Sequence, residues 1–509
     1  LIVTASFLRS PISEVRFKTR DRVATRSWAI GASLIAANIS AEQIVGMSGS
    51  GYAIGLAIAS YEWMAALTLL IVGKYFLPIF LRNQIYTMPQ FLEQRYGPSI
   101  RTLMAVFWLD LYVFVNLTSI IWLGSIAVTQ VAGINQDVAL VGLGVFALLY
   151  QLRGGLKAVA LTDIVQVTLL VFGGLMVSGI TLSQIGGGSI LTGFSTLVHR
   201  VPDHFNMILS TSNPHFKDLP GISVLVGGMW IANLSYWGFN QYIIQRALAA
   251  KNLAEAQKGV VFAAYLKLLM PVIIVLPGIA AVFLAPDLAK PDQAYPTMMR
   301  LLPTGILGLV FAALVAAIIA STASKINSIA TIFTLDLYAK RSAHTEGAAP
   351  AETVQADERK LVLIGRITAG VAIMLAMATA RPLLGNSEQA FQYIQEYTGF
   401  FTPGITVIFL LGLFWKRASE AGAIAGAVGS FVLSLALKYL TPDFPFMNRM
   451  LVVFVATLAL AATVSLLRPG AATRNRTITA DVDYSTSRGF SIAGVGVILI
   501  LIALYATWW

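Results

Sequence analysis

Three observations on this 509-residue chain predict an all-α fold that crosses a membrane many times. Its residues are 57% hydrophobic and only 12% charged, whereas soluble domains carry about 25% charge. The apolar residues gather into runs of the length, about 20 residues, that a helix needs to span a bilayer. Inside lipid, backbone groups must bond within their own segment, which selects helices over isolated strands. Thirteen spans are predicted: 28–57, 59–81, 102–132, 136–151, 158–185, 219–245, 259–285, 301–339, 361–380, 388–415, 419–440, 446–467 and 490–509.

The charge of +11 follows this pattern. With connections assigned alternately to two sides, one side holds 24 Lys and Arg and the other six. The richer side is cytoplasmic by the positive-inside rule, which puts the amino terminus inside and the carboxyl terminus outside. The basic balance is therefore a topology signal, and no nucleic-acid partner is expected. With no cysteine, disulfides and thiol chemistry are excluded. Residues 1–27 form a short basic segment, and the lack of an initiating Met suggests a start inside a longer natural chain.

The spans divide into a first unit of five at 28–185, an external loop at 186–218, a second unit of five at 219–415 and three peripheral helices at 416–509. An odd number of spans inverts the second unit relative to the first, as in secondary transporters built from inverted repeats. The first helix of each unit mixes glycine with polar residues. Gly31 to Ser40 precedes Gly46, Gly49, Gly51 and Gly55; Gly227-Gly228 precedes Asn233 and Ser235. One glycine can equally serve close helix packing, but polar neighbours at matching positions favour broken helices that offer carbonyls and amides to a polar solute or cation.

The apolar span Phe262 to Pro277 contains Lys267. An ionisable group at that depth faces a partner or an aqueous path. Amides and a carboxylate also lie in Ala36 to Gln43 and in Ile231 to Gln241, so a bound polar solute is expected. The alternative for Lys267 is a bundle-stabilising ion pair with Glu62, and the two roles are compatible. His199, His204 and His215 have no metal-ligand spacing. Residues 340–360, with His344, read as a cytoplasmic linker. No nucleotide loop or nucleophile–base set is present, so no enzyme is expected.

Four stretches carry a family resemblance. Leu149-Tyr-Gln-Leu-Arg-Gly-Gly-Leu-Lys-Ala-Val-Ala-Leu-Thr-Asp163-Ile-Val-Gln166 resembles a signature of the solute:sodium symporter family. Ala36-Ala-Asn-Ile-Ser-Ala-Glu-Gln43, Asn233-Leu-Ser-Tyr-Trp-Gly-Phe-Asn-Gln-Tyr-Ile-Ile-Gln-Arg246 and Gln389-Ala-Phe-Gln-Tyr-Ile-Gln-Glu-Tyr-Thr-Gly399 resemble its sugar-transporting branch, the bacterial sodium/galactose carriers. The resemblance implies a LeuT-like fold, two inverted five-helix repeats with peripheral helices. It implies a sugar site of Gln43, Glu62, Asn233, Lys267 and Gln395, with Asn38 and Asn116 nearby. Met47, Tyr61 and Phe391 would close the outer side, and Tyr236 would cover the sugar from the cytoplasmic side; Trp237 is assigned to packing. The chemistry agrees, because amides donate and accept, a carboxylate accepts and an ammonium donates to sugar hydroxyls.

The same resemblance implies a sodium site of the Ala36, Ile39 and Ala317 carbonyls and the Ser321 hydroxyl, with Asp163 on the ion path. Three departures stand out. Ala320 takes the place of a further serine ligand, and Thr322, one residue past Ser321, is turned about 100° around the helix. Lys325, in a small-residue region, is expected to snorkel to an aqueous edge, with repulsion of an exiting cation as the alternative. A leading helix of the branch appears as only a short basic segment here. The expected function is sodium-driven hexose symport into a bacterial cell across the inner membrane, with galactose first and glucose second. Sodium, hexose and lipid are the partners, and no obligate protein partner is expected. The alternatives are a sodium-coupled inositol or polyol carrier and an uncoupled sugar sensor.

Overall fold

Helix α1 (Ser27–Asn38) ends where the chain bends by 70° into α2 (Glu42–Ala53). The computed structural model describes residues 27–85, 87–338, 354–469, 479 and 482–509. Most of residues 1–27 and of the 340–360 linker, with His344, lie outside them. Among the described residues the regular structure is helical. Nine helices among the described residues are long and apolar enough to cross a membrane, or up to eleven if each bent pair counts as one span.

The break between α1 and α2 falls within the expected polar stretch. The Ser40 hydroxyl accepts from the Glu42 N–H at 3.2 Å, a local bond that competes with continuing the helix. Beyond α2, Gly55 adopts φ +89°, and a Cβ there would lie 2.4 Å from the His204 carbonyl oxygen. Glycine alone meets both demands.

The next helices are α3 (Leu56–Arg82), α4 (Pro98–Ala132) and α5 (Gln136–Ile185). Helical bonding in α5 runs through residues 152–157, between the expected spans at 136–151 and 158–185, while its apolar stretches stay separate at Gln136–Leu152 and Val165–Ile185. That connection, Arg153-Gly-Gly-Leu-Lys157, has no proline to stop a helix.

In the second unit α6 (Gly228–Asn233) continues in wide turns to Phe239, and α7 (Gln241–Leu248) follows. The expected break is present at Gly227, whose non-helical backbone (φ −123°, ψ −108°) separates the short helical turn Ser223–Val226 from α6. A second interruption lies at Asn240, whose extended backbone (φ −80°, ψ 118°) and side chain cap α7 through the Tyr242 N–H. Then come α8 (Leu253–Leu284), α9 (Thr304–Tyr338) and α10 (Val354–Leu384). The bent pair α11 (Ala390–Thr398) and α12 (Thr402–Phe414) turns by 43°. Helices α13 (Glu420–Leu440), α14 (Phe446–Leu467) and α15 (Arg488–Thr507) end the chain.

Helix α8 packs against α1, α2, α3 and α5. A Cβ on Gly278 of α8 would meet the Ser48 carbonyl at 2.1 Å, so the backbones of α8 and α2 touch, as small residues permit between membrane helices. Peripheral helices instead expose apolar side chains, including Leu363 and Ile367 of α10 and Leu499 and Ile502 of α15. Buried Arg95 donates to the carbonyls of Gly412, Trp415, Lys416 and Ala418, at and beyond the end of α12, where helix carbonyls lose their intrahelical partners.

Candidate solute and ion site

Three stretches of wide-turn π-helix bring polar side chains to the centre of the bundle: Glu42–Met47, Leu111–Leu117 and Leu234–Phe239. Such turns shift the register of a helix face and recur at functional sites. Between them lies a cavity of about 120 Å³. Asn38, Gln43, Glu62, Asn116, Asn233, Lys267 and Gln395 all line it, as do Met47, Tyr61, Tyr236 and Phe391. Residues up to 357 positions apart in sequence (Asn38 and Gln395) thus share one chamber.

Lys267 is 1% exposed and donates to Glu62 at 2.5 Å and to the Asn38 side-chain oxygen. Asn38 in turn donates to the Tyr236 hydroxyl at 3.2 Å. Asn233 turns one donor back to the Met229 carbonyl at 3.0 Å, while the buried side-chain oxygen of Gln43 has no protein partner. The chamber can therefore both donate to and accept from a neutral polyhydroxy solute. On the Met47 side the rings of Tyr61 and Phe391 meet edge-on, 5.2 Å between centroids, and the Tyr61 hydroxyl donates to Gln392 at 3.3 Å.

Sequence reasoning missed part of the wall. Trp237, assigned to packing, lines the cavity, and the Lys267 ammonium lies 5.0 Å from its ring centroid. Glu42, beside Gln43 in the quoted motif, also lines it. It accepts from Ser119, from Asn116 at 3.5 Å and from Ser40 at 3.4 Å. An acidic residue inside an apolar span was the available signal.

A second cavity, about 10 Å³, brings together Ala36, Ile39, Ala317 and Ser321, with room for about one water or small ion. Ala36 lies in the last turn of α1, where helix carbonyls lose their partners, so hard oxygen donors fit sodium here. Ala320 and Ser324 share the wall; Thr322 does not. The Thr322 hydroxyl bonds to the Ile318 carbonyl at 2.7 Å, in line with its expected rotation away. Asp163 lies on α5, but its side chain falls outside the described residues.

Lys325 corrects the snorkelling expectation. It is 5% exposed and buried between the rings of Tyr112 and Tyr242, at 4.7 and 4.3 Å. Those rings and the Asn116 oxygen, at 3.3 Å, contact the ammonium in place of water. The three loop histidines bond separately: His199 to the Ser195 carbonyl, His204 to the Tyr52 carbonyl and His215 to Asp218. Among the described residues no group of three or more potential ligands of the His, Cys, Asp and Glu type could hold a metal ion.

Residues 22–429 match the Sodium:solute symporter family. The chain belongs to that family. This symporter is 50% identical to the sodium/glucose cotransporter of Vibrio parahaemolyticus, over 95% of this chain and 90% of that one. It is 35% identical to the sodium/myo-inositol cotransporter 2 of Sus scrofa, over 82% of this chain and 64% of that longer protein. In fold it resembles a Na+-coupled sialic acid symporter solved in a substrate-bound, outward-open state, with TM-score 0.72, 21% identity and coverage of 92% and 96% of the two chains. The nucleobase-cation symporter Mhp1 aligns with TM-score 0.54 at 12% identity, over 91% and 97% of the two chains. The fold is thus the LeuT-like one expected. The symporter is a transport protein, coupled to sodium and carrying a small organic solute across a lipid membrane.

Proposed function

We propose that this symporter carries a hexose, glucose or galactose, into a bacterial cell with sodium by alternating access. The observation that carries the reading is the central chamber, where six amides, two carboxylates and an ammonium line a cavity walled by aromatic rings and no acidic solute is needed to balance charge. Gln43, Glu62, Asn233, Lys267 and Gln395 contact sugar hydroxyls, with Asn38 and Asn116 adjoining. Tyr236 covers the C–H face from the cytoplasmic side, while Met47, Tyr61 and Phe391 close the outer side.

Sodium enters from outside, binds at the Ala36, Ile39 and Ala317 carbonyls and the Ser321 hydroxyl, and organises the joint between α1 and α2. Coupling requires that it favour one conformation over another rather than merely bind. The units at 28–185 and 219–415 then rock against each other, Tyr236 yields, and sodium leaves past Asp163. The amino terminus is cytoplasmic and the carboxyl terminus external. A membrane potential of about 100 mV adds about 2.3 kcal/mol per charge, enough for roughly fiftyfold accumulation.

The test is radiolabelled glucose and galactose uptake into proteoliposomes with and without an inward sodium gradient, with each sugar and myo-inositol as competitors. Uphill uptake that needs sodium supports the reading. Equilibration indifferent to sodium refutes coupled hexose entry. A polyol carrier is the second reading, supported by the 35%-identical inositol relative; it gains if only myo-inositol is concentrated.

A further inference from the structure

The transport cycle above leaves Lys325 without a task, although among the described residues it is the second buried lysine. It stands on α9 one turn beyond Ser321, about 6 Å along the helix axis. Tyr112, on one side of it, lines the solute cavity; Tyr242, on the other, lines the ion cavity. Its ammonium has one side-chain oxygen within bonding distance, that of Asn116 at 3.3 Å, and interacts electrostatically with Glu42. Among the described residues, no carboxylate oxygen lies within 4.0 Å of it, in contrast to the close contact of Lys267 with Glu62.

A buried charge held this loosely keeps much of its field. The field reaches the ion cavity, where the other cationic side chain, Arg246, has a Ser33 hydroxyl bond at 2.6 Å. Glu42 supplies the opposite field, two residues beyond the joint that holds Ile39 and Ser40. We propose that Lys325 and Glu42 are an antagonistic charge pair that sets the sodium affinity of the adjoining cavity, Lys325 weakening it and Glu42 strengthening it. Lys325 is here a positioning charge, not an ion ligand. The pair also adjoins the solute chamber, since both Glu42 and Asn116 line it.

The inference rests on the sodium assignment of the small cavity, and the test separates the two. Equilibrium binding of radioactive sodium is measured on purified protein without sugar, for the wild type, Lys325→Met, Glu42→Gln and the double variant. A unit charge about 10 Å away at an effective dielectric constant of about 20 changes cation binding roughly tenfold. Lys325→Met should therefore lower the sodium midpoint about tenfold, Glu42→Gln should raise it about tenfold, and the double variant should return to within about threefold of wild type. Lys325→Arg, which keeps the charge, should retain the wild-type midpoint. If Lys325→Met does not fold, Lys325→Gln against Lys325→Arg makes the same comparison. Saturable wild-type binding with unshifted variants, or single variants that shift in the same direction, would overturn the charge pair alone. Loss of saturable binding in the wild type, or wild-type binding unaffected by Ser321→Ala, would overturn the sodium assignment.

Discussion

Lys267 and Glu62 meet at 2.5 Å in the middle of the bundle, with side chains 1% and 3% exposed. Taking both charges out of water costs several kcal/mol per ion, and mutual attraction offsets that only in good geometry with further hydrogen bonds. Asn38 supplies one such bond to Lys267. The pair therefore holds α8 to α3 and, through Asn38, to α1, and it also presents charge to the chamber.

The two functions separate in a mutant cycle. Lys267→Gln strands Glu62 and should cost about 3–5 kcal/mol of stability. Adding Glu62→Gln removes the stranded charge and should recover much of that loss. Sugar binding should stay at least about tenfold weaker in both variants, because a hydrogen bond to a charged group contributes about 1.5–3 kcal/mol. Thermal unfolding and equilibrium sugar binding check the two halves independently. Wild-type sugar affinity in the well-folded double variant would remove the pair from the site.

The ion cavity predicts a gain as well as a loss. Ser321→Ala removes a side-chain oxygen from its wall and should raise the sodium midpoint about tenfold or more, the scale of one good polar contact. Ala320→Ser adds a hydroxyl to the same wall and should lower the midpoint severalfold. Thr322→Val should leave it unchanged, because that hydroxyl is engaged by Ile318 within its own helix. Sodium titrations of uptake and of equilibrium binding decide. No gain from Ala320→Ser would show that the added hydroxyl cannot reach the ion.

How far the sequence carries depends on how local the determining physics is. The polar break before α2 was legible because Asn38, Ser40 and Glu42 cannot sit in lipid without a reason, and the chamber residues were legible from motif resemblance. The long α5 was not, since Gly154-Gly155 reads as a loop although glycine does not forbid a helix. Lys325 was misjudged because snorkelling is a default for a lysine in a membrane span. Its actual setting depends on Tyr112 and Tyr242, which lie 213 and 83 positions away and meet it only in the fold. Trp237 had the same difficulty: its exposure to the chamber follows from the wide turns of Leu234–Phe239, which sequence periodicity does not reveal.

Arg95 gives a stability prediction away from the chamber. Its guanidinium, 3% exposed, donates to four carbonyls at and after the end of α12 and lies 5.1 Å from the Tyr96 ring. Arg95→Met keeps the apolar stem but leaves those acceptors without the donor, at a cost of about 3 kcal/mol or more. Lysine cannot reproduce the planar fork of donors, so Arg95→Lys should recover only part of the loss. Thermal unfolding measures both. Equal melting temperatures for the wild type and Arg95→Met would mean that water replaces the side chain at no cost.

Asp292 predicts a pH dependence. It lies in the short Pro291–Gln293 turn outside the spans, buried against Gly49 of α2, where a Cβ would come within 2.5 Å of its side-chain oxygen. One carboxylate oxygen accepts from the Ala390 N–H at 3.2 Å, at the start of α11, and the other has no partner. Burial pushes the carboxyl up to about 7, against the opposing effects of the Ala390 bond and the Lys290 charge. The folded value lies above the unfolded one, so the contribution to stability is fully present below about pH 4 and is lost as pH rises through about 7. The melting temperature should therefore fall between about pH 4 and pH 7, while Asp292→Asn, which cannot ionise, should show a flatter profile. At pH 8 the variant should be the more stable protein, by on the order of 4 kcal/mol at most. Parallel pH profiles for the two proteins would show that Asp292 does not titrate in this range.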